Sequence, residues 1–231
     1  MTDSPLALAF VDHGRSFYGT ARSDFALLFE DGTAASFDEP TKIEAIADGW
    51  GAQLPGGLST VFTRVADPVE LGGMRAYLCA VQGEQIDGLG VVSEIRDAPR
   101  WADLDATRYV SALLDQDNAV LAFARRPAGS LGHGEEMVVA HLWSDGELKG
   151  VEDARVSTIY DGEGRPRQAS MELWLPGEDF PRRAFGKVTA GASLALEGLD
   201  VHAAVMTWSM EGREGAGLYE LTVREPAPAA A

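Results

Sequence analysis

The sequence predicts an all-β protein made of two related antiparallel units in tandem, each a barrel or a sandwich. Three observations point there. Apolar residues come in short runs broken by glycine, and the runs alternate polar with apolar. Asp31-Gly32, Asp145-Gly146 and Asp161-Gly162 are hairpin signals, because a type I′ turn needs positive φ at both central positions. The chain also repeats itself. DFALLFEDGTAASFDEPTKIEAIADG is matched by EMVVAHLWSDGELKGVEDARVSTIYDG, with the Asp-Gly pairs 114 positions apart. MRAYLCAVQGEQIDGLGVVSEIRDAP (74–99) is matched by AAVMTWSMEGREGAGLYELTVREPAP (203–228), at an offset of 127. A repeat of about 100 residues is too long for a solenoid.

Taken in order, strand candidates in the first half lie at 25–30, 33–37, 41–47, 58–65, 74–82 and 90–96. Those of the second half lie at 108–113, 119–125, 136–143, 147–151, 154–160, 168–175, 183–188, 194–196, 202–210 and 217–223. PTKIEAIADG also reads as a short helix, but its counterpart ARVSTIYDG is β-branched and sits badly in one. DLDATRYVSALLDQD reads equally as a strand or as a helical turn. The expected division is 1–98, 99–225 and a Pro/Ala-rich tail at 226–231, with the split near Pro99-Arg100-Trp101.

The net charge of −17 repels phosphates, which argues against nucleic acid or anionic lipid as a partner. Cys79 is the only cysteine, so no intramolecular disulfide and no cysteine-based metal site can form. It sits in the apolar run AYLCAV and reads as a buried small hydrophobe. The N-terminus lacks the basic and apolar regions of a signal peptide, and no apolar run reaches membrane-spanning length. A cytoplasmic protein without membrane insertion is expected. No phosphate-cradling glycine loop is visible, and among His13, His133, His141 and His202 only His133 and His141, eight apart, have a ligand-like spacing, with His133 in the loop SLGHGEE, so neither cofactor nor metal is expected.

The repeat organisation resembles the hydroxyneurosporene synthase-like family, also called carotenoid hydratase-like. The segments that carry the likeness are WSDGELKGVEDARVSTIYDGEGRPRQASMELW and WSMEGREGAGLYELTVRE, within a span of about 85–225. The resemblance implies two lipocalin-like (calycin-like) β-domains and a hydrophobic ligand. Relatives act on long isoprenoid chains, and related two-domain β-folds cyclise polyketide-like substrates. Many members carry a His-Ser-Trp-Gly-Arg type segment between the halves. RDAPRWADLD (96–105) stands there instead, retaining Trp101, Arg100 and Asp103 but no histidine.

Candidate site residues each carry two readings. In EMVVAHLW, His141 shares an apolar strand face with Met137, Val139 and Trp143. It is either a core histidine bonded to a backbone carbonyl or a pocket acid–base group. Asp12-His13-Gly14-Arg15, leading to Tyr18, is either a surface turn or a charged pocket rim. Trp50, Trp101, Trp143, Trp174 and Trp208 are core residues or the aromatic wall of a hollow barrel. Trp101, Trp143 and Trp208, with Tyr18 and Asp103, are the substrate-binding candidates, and Trp101 and Trp143 are expected to reach one cavity near the junction. Glu94 and Glu220 stand at matching places in the two copies, each in an apolar strand after a glycine turn. They either guard an edge or act as buried general acids with raised pKa. Asp103 and Asp153 are weaker members of that class.

Three functions compete. One is a cofactor-independent enzyme performing hydration, isomerisation or cyclisation on an isoprenoid- or polyketide-like molecule, with Glu220, His141 or Glu94 as proton donor. Another is a carrier of a hydrophobic ligand without catalysis. The third is a structural domain. A cavity containing a buried titratable group discriminates the first from the second, and a cavity of any kind discriminates both from the third.

Overall fold

A computed structural model describes residues 5–12, 14–22, 25–39, 41–98, 100–131, 135–196 and 198–224. His13, His133 and the expected tail at 226–231 lie outside the described residues. In the first half the strands are β1 (Leu6–Asp12), β2 (Phe17–Arg22), β3 (Ala26–Glu30), β4 (Thr33–Phe37) and β5 (Lys42–Ile46). They continue as β6 (Gly49–Leu54), β7 (Leu58–Arg64), β8 (Val69–Leu71), β9 (Met74–Gly83) and β10 (Asp87–Ile95). The second half holds β11 (Leu104–Leu113), β12 (Ala119–Pro127), β13 (Met137–Ser144), β14 (Glu147–Lys149) and β15 (Asp153–Tyr160). It ends with β16 (Pro166–Trp174), β17 (Arg182–Leu196), β18 (Leu199–Met210) and β19 (Arg213–Arg224). PTKIEAIADG is strand, and DLDATRYVSALLDQD is strand from Leu104, preceded by one 3-10 turn at Trp101–Asp103. No helix among the described residues is long and apolar enough to cross a membrane.

The two halves form two antiparallel sheets with the same strand order. The first runs β4-β3-β2-β1-β10-β9-β7-β6-β5, with β8 beside β9, and the second runs β14-β13-β12-β11-β19-β18-β17-β16-β15. The fold is therefore all-β, two tandem antiparallel lipocalin-like units related by an internal repeat.

Both Asp31-Gly32 and Asp145-Gly146 turn with positive φ at each position, as does Glu211-Gly212. They close the β3–β4, β13–β14 and β18–β19 hairpins. Asp161-Gly162 behaves differently. Only Gly164 has positive φ there, and the Asp161 carboxylate accepts the backbone N–H groups of Glu163 and Arg165 at 2.9 and 3.0 Å. The extra residues make a longer loop that an Asp-Gly signal alone does not distinguish from a two-residue turn.

The repeat register is fixed by close strand crossings. A Cβ on Gly88 would lie 2.0 Å from the Val11 carbonyl oxygen, and one on Gly215 2.2 Å from that of Leu113. On Gly217 it would lie 1.6 Å from the Ser111 oxygen, and on Gly90 2.7 Å from that of Ala9. Only a residue without Cβ permits that approach, so both copies carry glycine there. Gly88 and Gly215 are 127 positions apart, so the structural register follows the offset seen in the sequence.

Four strands escaped periodicity, for three physical reasons. β1 reads LALAFVD with no polar alternation because both its faces are buried. Leu8 and Phe10 point into the first unit, with Phe62, Trp50 and Tyr77. Ala9 and Val11 point toward the second unit. A strand buried on both faces loses its period-2 signal. β2 and β6 are interrupted by glycines that take a neighbouring group, Gly19 against the Phe10 ring and Gly49 against the Phe62 carbonyl. β8 is only three residues long.

The units pack sheet against sheet. One apolar cluster joins Val11, Leu78 and Val91 to Leu113, Leu121 and Trp143. Another joins Leu27 and Phe29 to Val205 and Leu218. β1 meets β19 as its counterpart β11 meets β10, a local two-fold relation. The second interior is built around Trp208 and Tyr219. Trp208 is wholly buried and lies over Gly186, its register partner. Cys79 is buried in the first interior, and burial pushes its thiol up to about 12, which fits a packing residue and not a nucleophile.

Candidate functional site

Where β1, β2 and β10 face β11, β18 and β19, the sheets do not close fully. A cavity of about 340 Å³ remains, walled largely by small and branched apolar side chains such as Ala7, Ala9, Val91 and Val201. Trp101, on the 3-10 turn that links the halves, and Phe123 form its aromatic part.

The polar groups come from both units. Arg22, at the end of β2, forms an ion pair with Oε1 of Glu220 on β19. Glu220 is 8% exposed. Tyr109 on β11 is its register partner, and Thr107 and Thr222 form the next inward-facing pair. Directly opposed residues on antiparallel strands have Cβ atoms about 4.5–5.5 Å apart, so carboxylate and phenol stand side by side. The Ser93 hydroxyl, from β10, lies near the phenol. Burial raises the Tyr109 phenol above the ordinary tyrosine range, the nearby Glu220 charge adds to that, and the Ser93 contact opposes it. The phenol therefore stays protonated and is a donor at any physiological pH.

The local two-fold explains why the site is asymmetric. Positions related by the repeat are Ala7 and Tyr109, Ser93 and Glu220, and Arg22 and Phe123. Each pair has diverged, and the polar contacts cross between units: Arg22 to Glu220, Ser93 to Tyr109.

Of the residues expected from sequence, Glu220 and Trp101 line this cavity. The others lie elsewhere. Glu94 is not the structural counterpart of Glu220; the glycine register aligns it with Leu221, and a slip of one residue reverses the face. Its carboxylate accepts from Tyr77 Oη at 3.1 Å and from Arg96 at 3.2 Å. His141 Nε2 lies 2.8 Å from the Glu70 carbonyl oxygen, joining β13 to β8, away from the cavity. Trp143 is buried in the cluster between the sheets without reaching the cavity, and Trp208 fills the second interior. Tyr18 packs at the edge of both inter-sheet clusters. Asp103 is exposed and pairs with Arg100 at 2.9 Å. Asp12 is a turn residue, its carboxylate accepting the N–H groups of Arg15 and Asp87. Glu220 Oε1 accepts from the Arg22 guanidinium, and the hydroxyl beside it is that of Tyr109.

Arg22, Ser93 and Tyr109 escaped the sequence reading. Arg22 precedes the first repeated segment, which begins at Asp24. Ser93 and Tyr109 become visible only when the two copies are aligned on Gly88 and Gly215, which places Ser93 against Glu220. Among the described residues no three His, Cys, Asp or Glu groups gather as a metal site would require.

One consequence is spectroscopic. A hydrophobic ligand entering the cavity is expected to change tryptophan fluorescence mainly through Trp101. Trp101→Phe removes most of that change and Trp143→Phe leaves most of it. Equal loss in both variants would place the ligand elsewhere.

No known protein family matches the chain, and no curated protein matches it. Among solved structures, kievitone hydratase from Nectria haematococca is similar, with a TM-score of 0.60, 9% identity, and coverage of 96% of this chain and 90% of that one. At that identity the likeness shows a shared fold.

Proposed function

We propose that the chain is a cofactor-independent enzyme that takes a hydrophobic, isoprenoid- or polyketide-like molecule into the cavity between its units and performs acid–base chemistry on it: hydration, isomerisation or cyclisation. The observation that carries this reading is the buried Glu220 carboxylate beside the Tyr109 phenol in a cavity whose walls are mainly apolar. A carrier needs the apolar walls but makes no use of a carboxylate beside a phenol, and here Arg22 offsets the cost of burying that carboxylate while Tyr109 stands next to it. The fold likeness to a hydratase agrees with the enzyme reading as an analogy, since one fold hosts many chemistries.

Native mass spectrometry of freshly purified protein tests it first. A co-purifying lipophilic molecule that is lost when Ala9→Trp fills the cavity supports the reading. Turnover of that molecule separates enzyme from carrier. If the molecule stays bound in the filled variant, the cavity is not its site.

We further propose that residues 1–98 and 99–225 are the two folding units. Expressed separately, each would expose the apolar face that holds Leu78 and Val91 or Leu121 and Trp143. The expected result is self-association of each half alone and a 1:1 complex on mixing, read by size-exclusion chromatography. Two soluble monomers that ignore each other would overturn the division.

A further inference from the structure

The cavity wall offers one fixed donor and one free acceptor side by side, and that pairing restricts the substrate. Arg22 occupies Oε1 of Glu220, and among the described residues Oε2 has no partner. Tyr109 sits opposite on the neighbouring strand, protonated, with Ser93 near its oxygen. A hydrocarbon has nothing to accept a phenol's hydrogen bond. An alkene also needs a donor strong enough to protonate carbon, whereas this buried phenol is weaker than ordinary tyrosine. A carbonyl fits both groups at once.

Resting on the acid–base reading above, we infer that the substrate carries a carbonyl group in its apolar body, held by the Tyr109 hydroxyl, and that Glu220 moves a proton at the adjacent carbon. In that step Oε2 takes the proton from the carbon next to the carbonyl. The C–H electron pair becomes a C=C bond, and the carbonyl π pair moves onto oxygen as an enolate. Tyr109 donates its hydrogen bond to that oxygen, as an oxyanion donor does. The proton then returns from Glu220 to the same or a conjugated carbon, giving exchange or double-bond isomerisation without an added reactant. Arg22 is a positioning residue, fixing the carboxylate so that Oε2 faces inward.

The probe is 2-tetralone, a bicyclic ketone with an acidic methylene, and its hydrocarbon counterpart tetralin. Two readouts are taken on the full chain: binding by tryptophan fluorescence, and deuterium incorporation at C1 in deuterium oxide by NMR. The expected result is tighter binding of the ketone than of the hydrocarbon, about tenfold for one hydrogen bond, and accelerated exchange. Glu220→Gln lowers the exchange rate about 10²–10⁴-fold. Tyr109→Phe lowers it about 10²-fold and removes the preference for ketone over hydrocarbon, yet still binds both. Glu220→Asp, which keeps the carboxylate, restores part of the exchange and separates chemistry from folding damage. If both molecules bind alike and Tyr109→Phe changes neither binding nor exchange, the carbonyl inference falls while the cavity reading stands. If neither molecule binds, both fall.

Discussion

Glu220→Gln is expected to lower turnover of the natural substrate at least about a hundredfold with ligand affinity almost unchanged, since a positioned acid–base group contributes about 10²–10⁴-fold. The amide is isosteric, so the cavity keeps its shape, but it cannot take a proton. The variant also leaves Arg22 without its charge partner. Arg22 is about a third exposed, so water compensates much of that loss. A hydrogen bond to a charged group is worth about 1.5–3 kcal/mol at most, and about 1 kcal/mol of lost stability lowers the melting temperature of a chain this size by about 2–4 °C. A hundredfold activity loss with a shift of only a few degrees therefore reports chemistry. A collapse in melting temperature, or an equal loss from Leu218→Ala on the same strand, would report folding damage instead. His141→Ala serves as the contrast. Its ring joins β13 to the Glu70 carbonyl outside the cavity, so full activity is expected. Full activity in both variants would remove Glu220 from the mechanism, whereas the absence of any activity would favour the carrier.

The largest effect on stability is expected at Gly217. A methyl group there would overlap the Ser111 carbonyl oxygen at 1.6 Å, and the obstacle is backbone, which cannot rotate aside. Overpacking typically costs about 1–3 kcal/mol and occasionally more, and a backbone obstacle at this distance belongs at the upper end. The strands concerned, β11 and β19, carry Tyr109 and Glu220, so Gly217→Ala is expected to lose both fold and site. Gly212→Ala is the control. It has positive φ and open space around it, so it costs only the left-handed conformation, about 1–2 kcal/mol. Thermal unfolding of the two variants decides the matter. A smaller loss at Gly217 than at Gly212 would mean that β11 and β19 are less closely crossed than described.

The strand-rich character, the two Asp-Gly hairpins at 31–32 and 145–146, and the twofold pattern with offsets of 114 and 127 were all legible in the residues. These are local properties: turn chemistry sets φ, and alternation sets which face is polar. The placement of Trp101 at a junction and of Glu220 in an apolar strand also followed from sequence neighbours. What local pattern could not carry was any feature that depends on two faces at once. β1 hid its strand signal because it is buried on both sides. Glu94 looked equivalent to Glu220 because the two hairpins before them differ in turn length, and one residue of register decides whether a side chain enters a unit's interior or the space between units. His141, Trp143 and Trp208 were correctly read as members of apolar strands, yet only the packing assigns them to three different places. The site itself joins Arg22, Ser93, Tyr109 and Glu220 from four strands of two units, nearly 200 residues apart at the extremes. Sequence determined each unit of this protein; the association of their two unlike faces, which no residue specifies alone, decided where the cavity lies and which of the repeated positions became chemical.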